Sequence, residues 1–276
     1  MPAVPDVVHV ELWQVRSDVG EEPAARTQRI LTQLRDRREQ LTPPTVIVLP
    51  ELWQAGAFAT AAVLAHAEPL TGPTVAALSE AAVARGCWLH AGSIAERHPS
   101  GAVTNTALLI NPSGELIGCY RKIHLFGFDT GEARHLRAGE QVCVVDTPFG
   151  RTGLATCYDL RFPELFRAMV DQGAQTFLMC SGWPVQRIDA WQVLTRARAI
   201  ENQAWVIACN GVGSHPVGEA GGDTITLGGA SVIVDPWGAV LAEGTAGEQV
   251  VSADVDPAAP SGARQRMPFL RDRVLR

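Results

Sequence analysis

Residues 153–166 read GLATCYDLRFPELF: an apolar run stops at a thiol, Cys157, charge follows at once, and a helical pattern opens behind Pro163. A short apolar run closed by a polar group reads as a buried strand. YDLR then reads as a turn, and FPELFRAMVDQG (162–173) as a helix with proline at its start. The strand delivers Cys157 to a sheet edge. A strand-to-helix junction of this kind sets the expected class as α/β.

Working outward, VVHVELWQV (7–15), TVIVLP (45–50) and TALLINP (106–112) are rich in Val, Ile and Leu, are bounded by Pro, Gly or Asn, and read as strands. Helical patterns lie between several of them. EEPAARTQRILTQLRDRREQL (21–41) spaces Ile30, Leu34 and Leu41 at helical intervals, PTVAALSEAAVARG (73–86) opens on proline and stops at glycine, and DAWQVLTRARAIENQ (189–203) supplies another. Turn chemistry at NPSGE (111–115) and DPWG (235–238) marks two hairpins, so the sheets are expected to be mixed. No repeat, low-complexity linker or charge shift divides the chain, which reads as a single domain over 1–276. The basic segment from about 257 to 276 reads as a solvated or subunit-docking tail.

The chain is 46% hydrophobic and 19% charged, an ordinary globular balance, and no apolar run approaches the roughly 20 residues of a membrane span. Its start lacks a basic segment followed by an apolar one, so no secretory signal is expected and the protein is placed in the cytoplasm. A net charge of −6 without a basic block argues against nucleic acid. The six cysteines occur singly and the seven histidines show no ligand spacing, so neither metal nor organic cofactor is expected. NGVGSHPVGEAGG (210–222) does not match G-x-G-x-x-G, because Pro216 stands at the third glycine, and reads as a mobile surface loop bordering a pocket.

Ligands in α/β sheets sit beyond the carboxyl ends of strands. Three reactive groups fall there: Glu51 at the end of TVIVLPE, Lys122 just past ELIGCYR, and Cys157. A thiol with an ordinary pKa of about 8.5 is mostly protonated at neutral pH. Glu51 could take its proton, Lys122 could favour first the thiolate and then an oxyanion, and amides of the following helix could add donors, which is the outline of acyl transfer. Taken singly, the same residues also suit a packed thiol, a turn acid and a surface cation.

Together, VIVLPELW (46–53), YRKIHLFG (120–127) and GLATCYDLRFPELFR (153–167) resemble the three signature segments of the nitrilase superfamily of carbon–nitrogen hydrolases. They occur in the expected order, and the similarity continues through 183–214 and 228–238. The resemblance implies a four-layer α-β-β-α sandwich, assembled as dimers through outer helices and the terminal segment. It implies Cys157 as nucleophile, Glu51 as general base and Lys122 as oxyanion-stabilising cation. Glu132, seven before Gly139 in EARHLRAG, corresponds to a further family carboxylate that orients the lysine. One departure is Gly127, where relatives often carry Asp and this chain displaces its acid to Asp129. His124 is a rival base, while Asp159 and Arg161 read as structural partners.

The mechanism so implied is thioester formation and hydrolysis, with Lys122 and the backbone N–H of Tyr158 holding the oxyanion. CYDLRFPE resembles the Nit and ω-amidase branch, which favours a small amide bearing a distal carboxylate. Arg187 in WPVQR is the candidate cation for that carboxylate and Trp183 a candidate pocket wall. A nitrilase or N-carbamoyl hydrolase is the alternative within the superfamily. A non-catalytic scaffold, or a redox protein using Cys157 and Cys180, is the alternative outside it.

Overall fold

The structure, a computed structural model, describes residues 5–36, 44–127, 131–217 and 223–275. In chain order the strands are β1 (Val8–Gln14), β2 (Thr45–Val48), β3 (Trp88–Arg97), β4 (Val103–Ile110), β5 (Leu116–Arg121), β6 (Val144–Thr147), β7 (Gly150–Thr156), β8 (Thr176–Ser181), β9 (Trp205–Asn210), β10 (Val212–Val217), β11 (Asp223–Gly228), β12 (Val232–Val234), β13 (Val240–Glu243) and β14 (Gln249–Val255). The helices are α1 (Pro23–Asp36), α2 (Thr60–Ala65), α3 (Pro73–Arg85), α4 (Glu132–His135), α5 (Pro163–Asp171), α6 (Ile188–Asn202) and α7 (Ala259–Arg266).

Two six-stranded sheets form the centre, in the orders β14-β1-β2-β3-β4-β5 and β13-β12-β9-β8-β7-β6. In each, three neighbouring strands are parallel, β1-β2-β3 and β7-β8-β9, and the flanking strands are antiparallel. Alternation along β2 sends Val46 and Val48 into the core shared with Leu154 and Leu178 of the other sheet. Ile47 instead packs with Ile30 and Leu34 of α1 and Leu78 of α3. On the far side, α5 and α6 cover the second sheet, with Phe166 of α5 edge-to-face on Phe177 at 5.0 Å. That contact fixes the helix behind the thiol, with burial worth roughly 1.5–3 kcal/mol for the phenyl ring. The layers are therefore α-β-β-α, as expected.

The hairpins at 111–115 and 235–238 join β4 to β5 and β12 to β13. Three expectations need correction. Strand β2 ends at Val48, so Glu51 stands in the turn beyond it and not on its last residue. Strand β7 lies between β6 and β8, so Cys157 leaves the carboxyl end of an interior strand, not a sheet edge. The glycine-rich stretch is not a loop throughout: 212–217 pairs with 223–228 as an antiparallel ribbon, while 218–222 lie outside the described residues. Tertiary anchors override its composition. Val212 exchanges backbone hydrogen bonds with Val15 and Ser17, and the Gly228 N–H donates to the Trp183 carbonyl at 2.8 Å. Pro216 is tolerated because a two-stranded ribbon has only edge strands.

Candidate active site

The carboxyl ends of β2 and β5 in one sheet and of β7 and β8 in the other face a common site. Glu51, Lys122 and Cys157 are all buried there, at 4%, 1% and 8% exposure, which sets them apart from a solvated acid and a surface cation. The Lys122 ammonium donates to Glu51 Oε1 and to Glu132 Oε2, each at 2.7 Å. Burial works against that charge, but the carboxylates of Glu132 and Glu51, with a further contribution from Cys157, outweigh it and hold the Lys122 pKa well above its ordinary value. The lysine is a fixed positive charge.

Glu51 is gripped at both oxygens. Oε2 accepts the Gly182 N–H at 2.9 Å, and Oε1 accepts the Asn105 amide at 2.8 Å beside Lys122. The same Asn105 NH2 group donates to Glu132 Oε1 at 2.7 Å, so one buried amide ties both acids together. Sequence reasoning missed Asn105. Its signal was a lone amide within the otherwise apolar and hydroxyl-bearing run VTNTALLI of β4, a strand buried along its whole length.

Glu132 opens the short helix α4, and the segment behind it is laced to the strand ends. The Gly139 N–H donates to the Lys122 carbonyl at 2.9 Å and the Arg137 N–H to the Val103 carbonyl at 2.8 Å. A Cβ on Gly139 would stand 2.1 Å from the Arg121 carbonyl oxygen, so only glycine permits this approach. Glu132 Oε2 also accepts the Phe126 N–H at 2.9 Å, closing the turn that contains Gly127. Gly127 adopts φ +89°, which an Asp would take only with strain, so the departure from the family pattern carries its own local conformation. Asp129 lies outside the described residues.

Cys157 sits at φ +47°, a left-handed conformation for a non-glycine residue, where β7 turns into a 3-10 helix over Cys157–Arg161. Asp159 braces that turn. Its carboxylate accepts the Thr156 N–H at 2.9 Å, the Tyr120 hydroxyl at 2.8 Å and both the backbone N–H and Nδ1 of His124 at 3.2 and 2.7 Å. Arg198 of α6 adds two hydrogen bonds to the Leu160 carbonyl, at 3.1 and 2.9 Å. Burial, then the Glu51 charge, pushes the Cys157 pKa up, against the opposing influence of Lys122, Ser181 and the Gly182 N–H. These surroundings favour the thiol over the thiolate. Cys180 is likewise buried, with its pKa raised first by burial and its sulfur against the Thr156 hydroxyl at 3.6 Å, the reverse of what a thiol redox pair requires.

Around this centre stands an aromatic group. Phe126 meets Tyr158 edge-on at 5.3 Å and Phe58 at 6.0 Å, and Tyr158 meets Phe162 at 5.2 Å. His124 stacks on Phe162 at 3.7 Å with its Nδ1 on Asp159 at 2.7 Å, and among the described residues no hydrogen bond joins it to Cys157. Arg187 is exposed, with its guanidinium 5.5 Å from the Phe126 ring centre. Trp183 is only 2% exposed and gives its indole N–H to the Arg187 carbonyl at 2.7 Å, so it is mainly core. Arg161 lies over the Trp183 ring at 4.9 Å. Among the described residues no cluster of three or more His, Cys, Asp or Glu side chains could hold a metal ion.

Buried acid, ammonium and thiol at the strand ends of an α-β-β-α sandwich define the class of hydrolases that act on carbon–nitrogen bonds. The carbon-nitrogen hydrolase family profile matches residues 20–265. A 2-oxoglutaramate amidase of Paenarthrobacter nicotinovorans is 38% identical over 88% of this chain and 83% of its own length, and the human omega-amidase NIT2 is 33% identical over 75% of each. The crystal structure of Saccharomyces cerevisiae Nit3, a member of branch 10 of the nitrilase superfamily, superposes with a TM-score of 0.85 at 29% identity, covering 99% of this chain and 98% of that one. The chain belongs to the carbon–nitrogen hydrolase family of the nitrilase superfamily, in its Nit branch. It is an ω-amidase-like hydrolase, acting on carbon–nitrogen bonds other than peptide bonds.

Proposed function

We propose that the protein hydrolyses a small amide bearing a distal carboxylate, through a thioester on Cys157. The observation that carries this is a buried thiol in the field of a carboxylate, Glu51, that is held at both oxygens by Lys122, Asn105 and the Gly182 N–H. Glu51 takes the thiol proton as sulfur bonds to the amide carbon. The oxyanion is held by Lys122 and the backbone N–H of Tyr158, and Glu51 returns the proton to nitrogen as the C–N bond breaks and ammonia leaves. A water then gives a proton to Glu51 and its oxygen to the thioester, and the released thiolate recovers that proton. Glu132 keeps Lys122 aimed at the oxyanion throughout.

For the substrate, the names of the relatives favour an ω-amide. Arg187, exposed on the Phe126 side of the site, is the cation we assign to the distal carboxylate, with the Trp183 indole N–H anchoring its backbone carbonyl. The protein is expected to work in the cytoplasm, which suits its six free cysteines. It is expected to work as a homodimer or higher homo-oligomer: Val193 and Ile200 of α6, Val240 and Leu241 of β13, Trp237 and Met267 are exposed apolar side chains that a partner subunit could cover. The testing experiment is ammonia release across ω-amides, neutral amides, nitriles and N-carbamoyl compounds, with Cys157→Ser as the inactive control. Carboxylate-bearing amides should turn over fastest, and Arg187→Ala should weaken them far more than neutral amides, with Arg161→Ala for comparison. Turnover of nitriles in place of amides, or full activity in Cys157→Ser, overturns the proposal.

A further inference from the structure

Arg26 is a charged side chain of α1 that is 1% exposed, and nothing in the chemistry above uses it. Its guanidinium engages three separate stretches of chain. Nη1 donates to the carbonyls of Trp53, at 3.3 Å, and Gln54, at 2.5 Å. Nη2 donates to the carbonyls of Asp18 and Glu21, and Nε to the Glu21 carboxylate at 3.1 Å. Trp53 and Gln54 come two and three residues after Glu51, beyond Leu52, whose φ of +43° is a conformation that L residues adopt at a cost of order 1–3 kcal/mol. The turn is held from its other side by the Ser93 hydroxyl, which accepts the Leu52 N–H at 3.0 Å, and by the Ala91 carbonyl, which accepts the Trp53 indole N–H at 3.0 Å.

The structure assigns to Arg26 the positioning of Glu51: its planar fork holds the Trp53 and Gln54 carbonyls in the one arrangement that keeps the strained turn closed and the base over Cys157. The assignment rests on Glu51 being the base. A planar five-donor group suits carbonyls converging from several segments, and a lysine ammonium at the same place could satisfy only some of them. Arg26 acts through the turn and touches neither substrate nor thiol. Its loss lets the Glu51 carboxylate drift, and misplacement of a reacting group by about 1 Å can lower a rate by about a hundredfold.

The test compares Arg26→Met and Arg26→Lys in the full chain, with active sites counted by iodoacetamide labelling of Cys157. Arg264→Met serves as a matched control, because Arg264 also braces buried carbonyls, those of Ala174 and Asn202, in another part of the molecule. In Arg26→Met, kcat per labelled site should fall at least about tenfold with KM within about twofold, Arg26→Lys should lie between, and Arg264→Met should keep kcat. The pH dependence of Cys157 alkylation should also move to lower pH in Arg26→Met, because a displaced Glu51 no longer holds the thiol pKa up. A folded Arg26→Met with kcat within about twofold of the parent, or a loss equalled by Arg264→Met, overturns the assignment. If the parent protein hydrolyses no amide of the panel, the functional proposal has failed by itself. The alkylation profile then still decides, an unchanged profile counting against Arg26.

Discussion

The Asn105 side chain has one NH2 group and gives both of its N–H bonds to carboxylates, at 2.8 Å to Glu51 and 2.7 Å to Glu132. Two acceptors can be met only by the amide nitrogen, so the orientation of the amide follows from its partners. Hydrogen bonds to charged groups are worth about 1.5–3 kcal/mol each, and Lys122 compensates for part of the loss when Asn105 is removed. Asn105→Leu is therefore expected to lower kcat/KM by roughly a hundredfold, and Asn105→Asp by more, because it adds a third carboxylate to the cluster. Steady-state kinetics on an ω-amide checks the order. Lys122→Met should abolish turnover and destabilise the fold by about 3–5 kcal/mol, the cost of leaving buried charge uncompensated. Thermal melts of the variant beside the parent measure the loss of stability. At this scale Glu51, Lys122, Glu132 and Cys157 were legible because their neighbours in sequence resemble the family segments. Asn105 was not, because its meaning lies in a strand that meets the others only after folding.

Among elements, the segment 131–142 decides whether Glu132 reaches the site. Its anchor is Gly139, whose backbone lies where a Cβ would meet the Arg121 carbonyl at 2.1 Å. Gly139→Ala must push the segment off β5 or move the strand end that carries Lys122. The expected outcome is a fall in kcat of at least about tenfold with a smaller change in unfolding temperature, since the segment contributes little core. Parallel kinetics and calorimetry on the purified variant distinguish this from general destabilisation. Strands and helices were readable from sequence wherever a period of two or of 3.6 was carried by apolar residues, as in β1, β2, α3 and α6. The β10–β11 ribbon was misread as a loop because its glycines and Pro216 obscure the pattern. Contacts with Val15, Ser17 and Trp183, remote in sequence, supply what local propensity lacks.

For the molecule as a whole, the sandwich that brings strand ends from two sheets together also buries histidines that cannot easily charge. His90 on β3 is fully buried, neither ring nitrogen has a hydrogen-bond partner among the described residues, and burial pulls its pKa down to about 4. His215 on β10 is likewise inaccessible, its Nε2 meets the Ser17 hydroxyl at 3.3 Å, and burial followed by the Arg26 charge pulls it down to about 4. Between about pH 6.5 and about pH 4 the unfolded chain binds protons at these sites that the folded chain refuses. Stability therefore rises with pH through that window, is complete above it, and is lost as pH falls towards 4, by up to about 3 kcal/mol for each histidine. Carboxylates held by arginines, Glu21 by Arg29 and Arg26 and Glu96 by Arg121, have lowered pKa values despite their burial, so their contribution is present above the ordinary carboxylate range and disappears only at still lower pH. The two sets are separable. His90→Met, an apolar replacement of similar reach among apolar neighbours, should leave the unfolding free energy near neutral pH within about 1 kcal/mol and remove close to half of the decline between pH 7 and pH 4.5. Denaturant unfolding at half-unit pH steps measures both. An undiminished decline in His90→Met would place the acid sensitivity in the carboxylates, whereas a flattened one assigns it to the histidine that the packing of the two sheets forces to stay neutral.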